Sequence, residues 1–236
     1  MGRIVRAEWY RLVHGKSFLI ALVVLAALIV GSNLMNSSLA SLGEESLAKT
    51  MDSFTGGLPT FFMAIMAISL AQADRQAGTL KNVVSCGIPR SKVFLGKLVS
   101  AFIVTLIIIA VSGVVSYAAA LATGASGTIQ LADFLPSLLV QTLASLAFTC
   151  LFFVLGDIIS SQGIAIFVSL ALSLLDVAAY AYLGQLIGFD DLGSYAFGTI
   201  QAAGTGVQPL QIVVMVVISF VVFTIGRRLF EARDVK

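Results

Sequence analysis

The sequence predicts an all-α, polytopic membrane protein with six transmembrane helices and both termini in the cytoplasm. Three observations predict it. First, 58% of the 236 residues are hydrophobic and 11% are charged, where a soluble domain carries about 25% charged residues. A soluble core of this size cannot hide so many apolar side chains, so the bilayer must solvate much of the surface. Second, the apolar residues fall in runs close to the ~20 residues that cross the hydrocarbon core. Third, thirteen of the fourteen Lys and Arg residues lie in alternate gaps between those runs. The runs do not alternate in ~10-residue segments, which excludes a transmembrane barrel. Backbone polar groups in lipid must then be satisfied within each segment, and a helix does this. The runs follow one another almost continuously, so residues 1–236 read as a single transmembrane domain.

Residues 1–16 read as an interfacial helix. Val5, Trp9, Leu12 and Val13 share one face at helical spacing, and Gly15 is placed to end the helix. Trp9 and Tyr10 suit the headgroup boundary, and Arg3, Arg6 and Arg11 suit anionic lipid. The alternative is a basic flank that only orients the first span. Charge followed by the apolar run Phe18–Val30 also resembles a signal peptide, but the patterned leading stretch is longer than a usual charged region, so the first span is read as uncleaved.

The expected spans are 17–35, 58–73, 98–122, 134–156, 163–187 and 210–226. The second is short and opened by Gly56, Gly57 and Pro59. Basic residues near span ends stay cytoplasmic. Arg3, Arg6, Arg11 and Lys16 precede the first span; Arg75, Lys81, Arg90, Lys92 and Lys97 follow the second; Arg227, Arg228, Arg233 and Lys236 follow the sixth. Lys49 alone lies on the other side, with Glu44, Glu45, Asp52, Asp133, Asp190 and Asp191. Five or seven spans would put a basic cluster on the wrong side.

The connection 74–97 is too long and too patterned for a hairpin. Thr79 is placed to cap a short helix through Cys86, with Leu80, Val83 and Val84 on one side. Gly87 supplies a left-handed stop, Pro89 prevents continuation, and a new helix starts at Arg90. A small apolar patch in a basic surround suits a soluble partner; it equally suits a positively charged loop that anchors the chain.

Within this stretch, Asp74, then Gly78-Thr79-Leu80-Lys81-Asn82, then Gly87-Ile88-Pro89-Arg90, then Lys97 resemble the first cytoplasmic loop of type-2 permeases of ATP-binding-cassette (ABC) exporters. The acidic position, often Glu in the family, is Asp74 here, a conservative change. The motif covers about 25 residues, while six spans and an interfacial N-terminal helix extend the resemblance to the whole chain in architecture. The short permeases of bacteriocin-immunity and peptide-antibiotic export are the subgroup it most resembles.

The resemblance implies that Thr79–Cys86 is a coupling helix seated in a groove on a cytoplasmic ATPase, with Thr79, Leu80, Lys81, Val83 and Val84 at the contact. Asp74 and Arg90 would brace the loop, against each other or against the N-terminal helix. It also implies a second permease, identical or a sister chain, paired with this one in a bacterial plasma membrane. Residues 188–208, rich in glycine, would form short external helices that dip back over the pathway; a flexible outer loop is the other reading.

The chain cannot supply the ATPase. A phosphate-cradling loop needs Gly-x4-Gly-Lys-Ser/Thr, whereas Gly96-Lys97 is followed by Leu98 and has Ser91 at the first glycine position. ATP and magnesium would bind to a partner chain, and no cofactor is expected here. Two cysteines, Cys86 and Cys150, and the single His14 make no metal set and no intramembrane protease. No basic face with interleaved aromatics points to nucleic acid. Asp176 lies mid-span, where an acidic group costs at least about 2.5 kcal/mol on insertion scales. It is a candidate substrate or pathway residue, or else a neutral group bonded to Ser173 or Tyr180. An ion-coupled secondary transporter and a non-transporting assembly or receptor subunit remain as competing functions. ATP-dependent flux with a co-expressed ATPase separates the exporter from both.

Overall fold

The computed structural model describes residues 2–39, 57–78, 89–122, 131–188, 190–203 and 207–232. The described residues form helices, with no strand among them. In chain order these are α1 (Gly2–His14), α2 (Lys16–Leu39), α3 (Leu58–Gln76), α4 (Arg90–Ala122), α5 (Leu131–Ile158) and α6 (Gln162–Ile187). A 3-10 turn (Asp190–Tyr195), α7 (Phe197–Ala203) and α8 (Pro209–Ala232) complete the order. The expected segments Thr79–Cys86 and the Lys49 loop lie outside the described residues.

Among the described residues, four helices are long and apolar enough to cross a membrane: Arg90–Ala119, Leu135–Ile158, Gln162–Ile187 and Pro209–Ala232. A fifth counts if α1 and α2, bent by 64°, are taken as one broken span. The expected second span is present as α3, yet it is not among these. Its last turns carry Gln72, Asp74 and Arg75, which lower its hydropathy. Twelve of its nineteen residues are buried, because it packs against α2, α4, α5 and α6. A helix solvated by protein does not need to be as apolar as one solvated by lipid. By contrast α6 and α8 lie at the periphery, with only 11% and 17% of their most apolar windows buried.

Local chemistry sets the helix ends. Pro59 stands in the first turn of α3, where its missing N–H costs nothing. Gly188 closes α6 in the left-handed conformation (φ 75°), its N–H bonded to Gly184 O. Gly15 makes the elbow between α1 and α2, where a Cβ would stand 2.7 Å from the Arg11 carbonyl oxygen. The core runs along α3 through Met63, Ile68 and Leu70, with Phe94, Phe152 and Phe153 against it. Gly156 lets α5 approach α3 so closely that a Cβ there would lie 2.9 Å from Ile68 Cα.

On α1 the expected apolar face and the face packed against the bundle are not the same. Val13 and Trp9 are over a third exposed, while Glu8 is 7% exposed and Leu12 packs on the core.

Candidate functional site

The chain on either side of residues 79–88, at the end of α3 and the start of α4, is held by polar clusters. Gly78 ends α3 at φ 65°, with its N–H on Arg75 O at 3.2 Å. Only glycine takes that turn without strain, which gives the Gly78-Thr79 pair of the motif a local reason. On the far flank, the Pro89 carbonyl accepts the N–H of Lys92 at 2.9 Å and starts α4.

Four charged side chains from three helices meet near the end of α3. Lys97 Nζ of α4 donates to Asp74 Oδ2 of α3 at 2.8 Å and to Leu70 O at 3.3 Å. Arg11 Nη1 of α1 donates to Asp74 Oδ1 at 3.2 Å. Arg11 Nη2 also stands 2.7 Å from Glu8 Oε2, an ion pair without hydrogen-bond alignment. The formal charges cancel: two carboxylates face one guanidinium and one ammonium. Lys97 is 3% exposed as a side chain and Asp74 is 12%, so neither is solvated alone, and each neutralises the other's burial. Burial works against the ionised Asp74 carboxyl, but Lys97 and then Arg11, by charge and by hydrogen bond, outweigh it and hold it below the usual range. At Glu8 burial wins instead: it pushes the carboxyl above its ordinary value, and Lys97 and Arg11 pull it back only in part.

One turn on, α3 closes the end of α5. A helix leaves its last carbonyls without partners, and in a membrane protein those carbonyls need donors. Gln72 Nε2 donates to Gly156 O at 2.9 Å and to Ile159 O at 2.8 Å. Arg75 Nη2 donates to Asp157 O at 2.7 Å and Asp157 Oδ1 at 2.8 Å. Gln162 at the start of α6 joins through Ser69 Oγ and Gln76. Arg90, at the head of α4, donates to Glu231 O at the end of α8, at 3.1 Å.

Of the residues named from the sequence, Asp74 and Arg90 therefore tie the flanks to α1 and α8 respectively. Thr79, Leu80, Lys81, Val83 and Val84 lie outside the described residues. Glu8, Gln72 and Asp157 were not anticipated. The signal that finds the two acids is their scarcity: Glu8 and Asp157 stand in segments that charge placement assigns to the basic side.

At the opposite end of α3 a cleft of 620 Å³ opens between α3, α5, α6 and α7. Leu58, Phe61, Phe148 and Leu174 make it apolar, and Thr60, Ser173 and Gln201 add polar atoms. Gln201 Nε2 donates to Ser145 Oγ at 3.1 Å and Thr60 Oγ1 at 3.4 Å, which pins α7 onto α5 and α3. The α5 stripe continues inward at every fourth residue: Ser137, Gln141, Ser145 and Thr149. Thr149 gives its proton to Ser145 O, so Thr105 of α4 is the donor in their 2.7 Å contact. Asp176 Oδ2 accepts the Gly198 N–H at 2.9 Å, at the start of α7. Ser173 spends its hydroxyl on Leu170 O.

The described residues form a helical bundle with at least four helices long and apolar enough to cross a membrane, the architecture of a multi-pass membrane protein. The family profile described as ABC-2 family transporter protein matches residues 4–176, and the chain belongs to that family. No curated protein matches it. In that family this chain is the membrane component and not the ATPase.

Proposed function

We propose that this chain is the permease subunit of an ATP-driven exporter in a bacterial plasma membrane, with six spans and both ends inside the cell. In this reading α1 is an interfacial helix, and α3 crosses the membrane inside the bundle. The segment Thr79–Cys86 is the coupling helix that seats on a separate ATPase chain, which binds ATP and magnesium. Leu80, Val83 and Val84 form its apolar contact, with Thr79 and Lys81 at the rim. A second permease, identical or a sister chain, completes the pathway. ATP-driven closure of two ATPases would push on the coupling helices and tilt the permease halves.

The observation that carries this reading is that the helix ends on either side of residues 79–88 are tied to the rest of the bundle. A push on that segment reaches α1 and α4 through Asp74, α5 through Arg75, and α8 through Arg90. A loop that served only as a basic anchor would not need such joints. The family match favours an ATP-driven machine over an ion-coupled carrier. The cargo is proposed as a peptide, drug or lipid-like molecule moved outward, and the apolar cleft beside Asp176 with its three polar side chains supports an amphipathic one. The resemblance to bacteriocin-immunity permeases points to peptide antibiotics within that class.

The test is co-expression with the cognate ATPase. Leu80→Glu and Val83→Glu place a charge in the apolar contact. Both variants should insert normally, yet lose the ATPase on purification or hydrolyse ATP without transport. Normal copurification and normal vesicle transport by both variants would remove the coupling assignment. Proton-driven flux without the ATPase would favour the secondary carrier, and stable assembly without flux the structural subunit.

A further inference from the structure

We propose that the groove between α1 and α4 is a binding site for one anionic phospholipid. The groove holds 460 Å³ and is lined by Val5, Arg6 and Trp9 of α1 and by Ser100 and Ile103 of α4. Val5, Ile103 and the Trp9 ring supply an apolar wall. Arg6 supplies the charge. Among the described residues Arg6 has no ion pair, since the acid on its own helix, Glu8, is buried against Arg11. Ser100 commits its proton to Gly96 O at 2.9 Å, which leaves the Arg6 guanidinium as the strong donor.

A guanidinium beside an indole and an aliphatic wall matches a phosphodiester with an acyl chain. Arginine meets phosphate with two parallel N–H donors, and tryptophan places its ring at the headgroup level. A free phosphate would leave the apolar wall wet. A zwitterionic lipid would bring a second cation to a segment, residues 1–16, whose sequence already carries Arg3, Arg6, Arg11 and Lys16 against the single acid Glu8. The occupant would press α1 onto α4, and α1 carries the Arg11 that holds Asp74 at the head of the 74–97 connection. The lipid thus belongs to the support of that connection, at a place distinct from the cleft by α7.

Trp9 is the chain's only tryptophan, so its fluorescence reports this groove directly. The full chain is reconstituted in phosphatidylcholine vesicles containing a minor fraction of acyl-brominated lipid, either phosphatidylglycerol or phosphatidylcholine. Bromine quenches the indole on contact. Brominated phosphatidylglycerol should quench at a fraction on the order of fivefold lower than brominated phosphatidylcholine, the preference one basic side chain gives near a membrane surface. Arg6→Gln should abolish the difference, while Lys16→Gln, another exposed basic residue outside the groove, should keep it. Added inorganic phosphate should not relieve the quenching. Equal quenching of the unmodified chain by the two lipids would overturn the site. So would equal loss in the Arg6 and Lys16 variants, which would mean diffuse charge, or relief by inorganic phosphate, which would mean a phosphate site.

Discussion

Removing Asp74 while keeping its cations should damage the bundle far more than removing a whole ion pair. Asp74→Asn keeps the shape and deletes the charge. Lys97 is then left 3% exposed, with its nearest carboxylate gone and with Arg11 beside it. Breaking one partner from a buried pair costs about 3–5 kcal/mol. Arg11 is 45% exposed and can turn to water, so the cost falls at the lower end, about 3 kcal/mol. Lys97→Met deletes the ammonium and leaves Asp74 with Arg11, for a loss of about 2 kcal/mol. The double variant Asp74→Asn with Lys97→Met restores charge balance, since Glu8 and Arg11 remain paired. It should lie within about 1 kcal/mol of the parent, because replacing a buried pair outright is often nearly neutral. The assay is reversible unfolding of the purified protein by SDS titration in mixed micelles. The cycle should give a coupling of at least about 2 kcal/mol. A coupling under about 0.5 kcal/mol, with the two losses simply adding, would refute the buried cluster.

Three further outcomes follow from the same geometry. Gly156→Val should cost about 1–3 kcal/mol, because its Cβ would overlap the Ile68 backbone and force α3 and α5 apart; the same titration reads it, and parental stability would contradict the close approach. The two carboxylates should respond oppositely to pH. Asp74 is held below its unfolded value, so its contribution is fully present above the ordinary aspartate range and fades only as pH falls through the lowered value. Glu8 is raised, so its contribution is present below the ordinary glutamate range and fades as pH rises through the raised value. At neutral pH Glu8→Gln should therefore be as stable as the parent, whereas Asp74→Asn is not; a Glu8→Gln loss as large as the Asp74→Asn loss would reverse that assignment. Asp176→Asn keeps an acceptor for the Gly198 N–H and should fold normally, while Asp176→Ala should lose about 1 kcal/mol with that bond. Impaired transport by the Asn variant would assign the charge to the pathway, and unchanged transport would leave Asp176 as the anchor of α7.

Helix positions were legible because long apolar runs and their punctuation act locally. Pro59 opens α3, Gly188 closes α6, and Gly15 makes the elbow, each for a reason visible in a few adjacent residues. The alternation of basic gaps likewise gave the orientation proposed here. The inner role of α3 was not legible, since burial by protein and burial by lipid both select apolar residues. Its hint was the polar content of its last turns, Gln72 and Arg75, which serve the end of α5 more than eighty residues away. Glu8 was hidden for a different reason: periodicity marks only the apolar face of α1, and the tertiary meeting with Arg11, Asp74 and Lys97 explains a buried acid beside it. For Asp74 the sequence left two partners open, Arg90 or the N-terminal helix; the geometry gives it Arg11 and Lys97.

Coupling to a cytoplasmic ATPase requires residues 79–88 to lie on the inner side of the membrane. Cys150 is buried in the bundle, so Cys86 and an introduced Lys81→Cys can be probed with a membrane-impermeant maleimide on whole cells. Labelling of both positions only after the membrane is permeabilised is the predicted result. Labelling of either one on intact cells would contradict the docking segment and the exporter together.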